Sequence, residues 1–504
     1  MSELDERLRA VCDLSVPGVR EGAGLHEYDG RVQDLSPEAV SAGLARLGAG
    51  ARREDPFDEA LLTAAESALR VELGELALHR RSPLAHLDNL DVSCYDRAYA
   101  PEAERAEARR RHLEQWPDAV DVAVRTLDAV PAPVADALLG AVRGLAAGLH
   151  EDDPVEQQAL RAHARLVAHV EQAARDGDPD CALGAPALAR LMGAGEAVDV
   201  DLDALARTAD AERDRLMSLL TEACARLDPD AGPRQVVPTL LADHPDIDGV
   251  LAEARTITEE VIAFTREHDL APHVDGECLV GPAPESRSWA MAMMAWAAPG
   301  EPEGPSWYWV TPPDPAWPAA EVEEWLSVFS RTTLPAITAH EVAPGHFAHG
   351  RSLRRASTPE RRILQSMTFA EGWAHYVEEV FVEEGFRAED PRFAVGVALE
   401  ALVRVTRLAC AIGLHTGAMT VEDATARFMA DAFLGRSAAL SEARRGTFDA
   451  TYGRYTWGKL AIQDLRERAR TSWGAGFDLP RFHRAMLDLG SPPIGLLGTA
   501  LERG

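Results

Sequence analysis

The chain has 504 residues, 46% of them apolar, and a formal net charge of −31 with a pI near 4.9. That length and apolar content support a large buried core, while the acidity excludes a broad phosphate-neutralising surface, so no nucleic-acid partner is expected. No apolar run reaches the ~18 residues of a membrane span, and none is expected.

Helical patterning dominates the first half. Segments 57–80, 101–127, 133–149, 155–175 and 201–227 are rich in Ala, Leu, Glu and Arg, with apolar residues recurring every three or four positions. Breaks fall at Ser82-Pro83, 128–132, Asp152-Asp153-Pro154, 176–186 and 228–238, where Pro, Gly and Asp cluster. Six cysteines are scattered without a C-x-x-C pair, and the opening MSELDERLRAVCDLS lacks a basic head and an apolar core. Both features point to a cytoplasmic protein with free thiols. Of 51 basic residues only Lys459 is lysine, which reads as a compositional habit.

Between 271 and 320 the character shifts to prolines and tryptophans, including SWAMAMMAWAAP and SWYWVTPP. Alternation at Trp307-Tyr308-Trp309-Val310 predicts a short strand. Helix returns after Arg331, over 322–343, 346–356, 359–385, 390–415, 420–434, 438–471 and 480–489. These patterns divide the chain into an N-terminal helical region, 1–235, and a site-bearing region, 236–504, packed as one unit around a cleft.

Residues 340–346 read HEVAPGH and residues 371–379 read EGWAHYVEE. A hydrolytic zinc ion takes three protein ligands of the histidine and carboxylate kind and keeps one position open for water. A further carboxylate must accept the proton of that water and pass it to the leaving group. His340, His346 and Glu371 are the candidate ligands of one Zn2+ per chain, and Glu341 is the candidate general base. The familiar H-E-x-x-H helix places its histidines four apart, whereas here they are six apart, a rotation of roughly 240° on a continuous helix. Pro344 and Gly345 supply a break. The chain is therefore expected to bulge at 343–345, with His340 and Glu341 ending one helical stretch and His346 opening the next. His349 shares a face with His346, and His375 lies one turn beyond Glu371; both are candidate contacts to substrate or to a ligand. Arg404 and Arg407 are candidates either for a substrate carboxylate or for internal ion pairs.

HEVAPGH resembles the HExxPGH signature of the DUF885 family, and EGWAHYVEE resembles its EGWAxYxE signature. IGLHTGAMTVEDA at 412–424, YTWGKLAIQDLRERA at 455–469 and FDLPRFHRAMLDLGSPPIGLL at 477–497 resemble its later blocks, in matching order. The chain departs from the family pattern at three places: Phe347 replaces a second histidine, Asp449-Ala450-Thr451 stands where Pro-Gly-Gln is common, and Ala411 replaces an aspartate. The resemblance implies a mainly α, multi-helix, zincin-like fold of the helical gluzincin type, with a small antiparallel sheet beside the active-site cleft; Tyr308, on the strand read at 307–310, is a candidate to contact substrate or to support a ligand. The resemblance also implies a metallopeptidase cleaving short peptides or small amides, with Tyr455 or His415 donating to the oxyanion. Two other classes could use the same residues: a binding protein with a metal pocket and no turnover, and a non-haem iron oxygenase, which would leave Glu341 without a role. The sequence carries no signal for oligomeric state.

Overall fold

Capping and proline chemistry set most helix boundaries in the computed structural model, which describes residues 4–284, 287 and 290–504. Ser288 and Trp289, which open the aromatic SWAMAMMAWAAP stretch, and the first three residues of the N-terminal reading lie outside the described residues. Helix Pro154–Asp176 begins where the Asp153 carboxylate accepts from the Val155 and Glu156 amides, with proline at the first helical position. Helix Leu202–Leu227 begins where the Asp201 carboxylate accepts from the Ala204 amide.

Several segments that read as single helices are divided. The 101–127 stretch splits into Glu102–Glu114 and Trp116–Thr126, because Pro117 has no amide hydrogen to continue the ladder. The 322–343 stretch splits into Ala319–Ser327 and Leu334–Glu341. There Pro335 starts the second helix, and the Thr333 hydroxyl is drawn back to the Val328 carbonyl at 2.6 Å. In 359–385 the Ser366 hydroxyl caps a new helix, Met367–Glu383, by accepting from the Phe369 amide at 3.0 Å. The 438–471 stretch becomes Arg436–Phe448 and Arg454–Trp473.

The sheet has three strands, β1 (Cys278–Pro282), β2 (Ala292–Ala295) and β3 (Ser306–Val310), in the order β1-β3-β2. The expected antiparallel sheet is corrected to a mixed one: β2 pairs antiparallel with β3, but β1 pairs parallel with it. A parallel pair needs a crossover connection, and residues 283–305 provide it by carrying the chain through β2 before β3 enters the middle. On β3 the alternation holds. Ser306, Tyr308 and Val310 are buried, while Trp307 and Trp309 stack on the opposite face with ring centroids 4.2 Å apart.

One apolar core joins Leu8 and Leu62 to Val261, Tyr308, Trp373 and Ile462, so residues on both sides of position 235 contribute to it. Helix Met367–Glu383 and helix Arg454–Trp473 cross very closely. A Cβ on Gly458 would lie 1.9 Å from the Thr368 carbonyl oxygen, and one on Gly372 would lie 2.5 Å from the Gly458 backbone. Beside this crossing, the lone lysine is fully buried, pairing with Glu212 at 2.9 Å and with Glu379. It ties helix Leu202–Leu227 to the crossing, which a compositional reading does not anticipate.

Gly458→Ala should therefore lower the melting temperature by several degrees or prevent folding, because backbone faces backbone and no flexible side chain can yield. Gly140→Ala is the contrast. It sits exposed within helix Ala132–Gly144 with open space around it, and alanine there should stabilise by about 0.5–1 kcal/mol. Thermal melts of the two variants check both signs.

Candidate metal centre

Helix Leu334–Glu341 stops at Val342, whose φ of −102° and ψ of −91° leave the helical region, and a new helix, His346–Leu353, begins at His346. The break at 343–345 is thus where the sequence predicts it, and the Ala343–Pro344 peptide bond is cis. Gly345 packs on the preceding helix end so closely that a Cβ would lie 1.8 Å from the His340 carbonyl oxygen. The bulge is pinned from outside by the Trp373 indole, which donates to the Pro344 carbonyl at 2.9 Å. Trp373 belongs to the same helix as Glu371, so one element both holds the bend and supplies the third donor, the only acidic one of the three.

These constraints bring His340, His346 and Glu371 together. The two Nε2 atoms lie 3.5 and 3.3 Å from Glu371 Oε2, and one donor atom from each residue falls within 4.8 Å of the others. Tetrahedral ligands at about 2 Å from a zinc ion lie about 3.3 Å apart, so the set fits a divalent ion with little adjustment. His340 is further prepared. Its Nδ1 donates to Glu378 Oε1 at 2.7 Å, which leaves Nε2 facing the cluster, able to offer its lone pair once its own proton has left. Glu378 is fully buried and also takes Arg404 Nη1 at 3.0 Å, while Arg404 Nη2 lies 3.4 Å from Glu400. Arg404 is thus an internal ion-pair partner.

The protonation states follow from this environment. Burial and Arg404 disfavour charge on His340, but Glu371 and Glu378 outweigh them and raise its pKa to about 9. Burial works against the Glu371 carboxylate, yet the facing His346 and His340 hold it well below the usual range. His346 Nδ1 has no protein partner among the described residues, and the Trp296 ring packs near its edge at 6.2 Å.

Glu341 follows His340 and turns toward the sheet, where its charge is felt by Cys278 of β1 and Tyr308 of β3. Among the described residues its carboxylate has no hydrogen-bond or ion-pair partner. Tyr455 reaches the opposite side, its ring stacked 6.4 Å from the His340 ring. Burial and the Glu371 charge push its hydroxyl pKa up, so it is a proton donor at neutral pH. The competing phenol, Tyr452, is fully buried in a separate apolar cluster.

Of the remaining candidates, His415 lies away from this centre, while His349, His375 and Tyr308 pack around the elements that carry it. His415 lies eleven residues beyond Arg404 on helix Arg392–His415, roughly 16 Å along its axis, and its Nε2 pairs with the Gly446 carbonyl at 2.8 Å. His349 is buried behind His346, with Nε2 on the Gly490 carbonyl at 3.2 Å and its ring against Phe369. His375 is buried 3.5 Å from Glu378, one residue removed from the ligands. Tyr308 is fully buried under the His340 helix, its hydroxyl 3.4 Å from Thr338 Oγ1, and so anchors that helix to the sheet rather than facing substrate. Glu378 is the functional residue that the motif reading passed over. Its place seven after Glu371, two turns along the same helix face, was the available signal.

A family described as "Bacterial protein of unknown function (DUF885)" matches residues 17–501. Among solved structures, a "putative lipoprotein of unknown function" from Shewanella oneidensis is 20% identical, covers 99% of this chain and 98% of its own, and superposes with a TM-score of 0.78. A "putative lipoprotein" from Colwellia psychrerythraea is 18% identical over 99% of both chains, with a TM-score of 0.75. At these identities the likeness is one of fold. The sequence matches no curated protein. Among the described residues no helix is long and apolar enough to cross a membrane.

A proton held on His340 up to about pH 9 must leave before a metal can bind. Zinc binding at pH 7 should therefore release about one proton, and affinity should rise about tenfold per pH unit until pH 9. Titration calorimetry in buffers of different ionisation heat measures that release. Replacing Glu378 by Gln removes the charge that fixes the His340 tautomer and should weaken zinc binding about 10- to 100-fold, read by competition with a chelator of known affinity.

Proposed function

We propose that this chain, which belongs to the DUF885 family of bacterial proteins of unknown function, is a zinc-dependent hydrolase acting on peptides or peptide-like amides. The observation that carries the reading is the Glu341 carboxylate, without a partner among the described residues and directly after a His340 whose ring Glu378 orients for metal binding. A structural or merely binding site has no need of a free carboxylate in that position, and an iron oxygenase gives it no task.

A zinc ion held by His340, His346 and Glu371 would supply a Lewis acid and a water of lowered pKa. The Glu341 carboxylate would accept a proton from an attacking water and return it to the departing amine. The Tyr455 hydroxyl, protonated at neutral pH, donates to the carbonyl oxygen as negative charge builds on it. Ring stacking on His340 keeps the phenol near the centre. On the other side β2 has no strand beyond it among the described residues, and its end leads through Trp296 to His346. An extended peptide can add to such an edge by main-chain hydrogen bonds.

A cytoplasmic location remains part of this reading. All six cysteines are unpaired, as a reducing compartment requires, whereas two proteins of similar fold are described as lipoproteins. Fractionation of the native protein separates these possibilities.

Glu341→Gln should keep stoichiometric zinc and lose about 10²- to 10⁴-fold of a chelator-sensitive peptidase activity. Tyr455→Phe should lower kcat about 10²-fold with KM little changed. A peptide-library digest followed by mass spectrometry, alongside metal analysis, checks both. Undiminished cleavage by Glu341→Gln would remove the general base from the scheme.

A further inference from the structure

We propose that the recess beside the metal centre grips the free C-terminal carboxylate of a short peptide through Arg407 and Arg445, so that the enzyme trims residues from chain ends. This deepens the hydrolase reading above and rests on it for turnover, though not for binding.

The recess is evident from side chains that lie deep among protein atoms yet keep contact with water. Glu371 and Arg407 are each 14% exposed, Glu442 19% and Glu400 20%. Glu400 acts on His340 and Arg407 on Tyr455, and Glu442 joins them through Arg407.

In a chain of net charge −31, arginines gather here. Arg407 lies 5.1 Å from the Tyr455 ring centroid and Arg404 6.0 Å. Arg445 feels both the Tyr455 hydroxyl and the repulsion of Arg407. Arg404 is committed to Glu378 and Glu400. The other two are only half committed. Arg407 donates Nε and Nη2 to Glu442 at 2.8 and 2.6 Å, and Arg445 donates Nε and Nη2 to Asp449 Oδ2 at 3.3 and 3.1 Å. In both, Nη1 has no protein partner among the described residues. A guanidinium has five donors in a fixed fork. One edge on a glutamate or aspartate therefore holds the plane in place, and the free edge remains for a carboxylate.

A peptide whose terminal carboxylate rests there lies with a nearby amide at Tyr455 and the metal. Hydrolysis breaks the amide C–N bond: the carbonyl carbon gains the water hydroxyl, the amine gains its proton through Glu341, and the released product keeps its carboxylate on the arginines.

The test uses the full-length zinc-loaded protein with acetyl-Ala-Ala-Phe as the free acid and as the C-terminal amide. Cleavage is followed by mass spectrometry, and binding is titrated on Glu341→Gln, which reports recognition without turnover. The acid should be favoured about 10- to 100-fold, chiefly in KM and in the dissociation constant. In Arg407→Gln and Arg445→Gln that ratio should fall toward one, with zinc content unchanged. Arg445 is 33% exposed, so its variant carries the test even where Arg407→Gln folds poorly. Equal handling of acid and amide by the wild type overturns the proposal, as does a preference that survives in both variants. Absence of any cleavage, with the binding preference intact and lost in the variants, would count against the hydrolase reading and not against this one.

Discussion

Contact between Gly345 and the His340 carbonyl is the constraint on which the centre depends. No side chain fits between them, so the helix that carries His340 can fold back on itself only at a glycine. The fold-back compensates for a spacing that a continuous helix would point the wrong way. It is held by Trp373, whose indole reaches the Pro344 carbonyl from the helix that also carries Glu371. The bend and the third donor cannot move independently.

The same helix carries a second tier of control. Glu378, two turns beyond Glu371, sets the His340 tautomer and is itself anchored by Arg404. Burying such charges is costly unless each is paired and hydrogen-bonded, and here pairing runs from His340 through Glu378 and Arg404 to Glu400. Removing any one member leaves an uncompensated neighbour. Lys459 meets the same condition on the other side of the Gly372–Gly458 crossing, where it neutralises Glu379 and Glu212. A compact ammonium suits a slot closed by two backbones in contact, which gives a physical reason for one lysine among arginines.

That crossing also explains how Tyr455 reaches the metal ligands. Gly458 allows helix Arg454–Trp473 to touch helix Met367–Glu383, and Tyr455, one turn before it, is brought over the His340 ring. The N-terminal half takes part as well. Glu72, in the π-type turn Arg70–Glu75, has its carboxyl pushed up to about 7 by burial against the pull of Arg454. The first half of the chain therefore packs near the start of helix Arg454–Trp473, consistent with a core shared across position 235.

Much of this was readable from short-range pattern. Two histidines, two glutamates, a proline and a glycine at set spacings pointed to the His340, His346 and Glu371 cluster and to the break at 343–345, because donor chemistry and backbone geometry act over a few residues. Helical periodicity and the Trp-Tyr-Trp alternation located most elements, although local capping by Ser366 and the prolines divided some of them. Which helices touch depends on contacts hundreds of residues apart in sequence, and that only the tertiary structure decided. It turned His349, His375 and Tyr308 inward, left His415 on a distant turn, made the sheet mixed, and gave Glu378 and Lys459 roles invisible in one dimension. A side chain's chemistry is local, but its partners are chosen by packing.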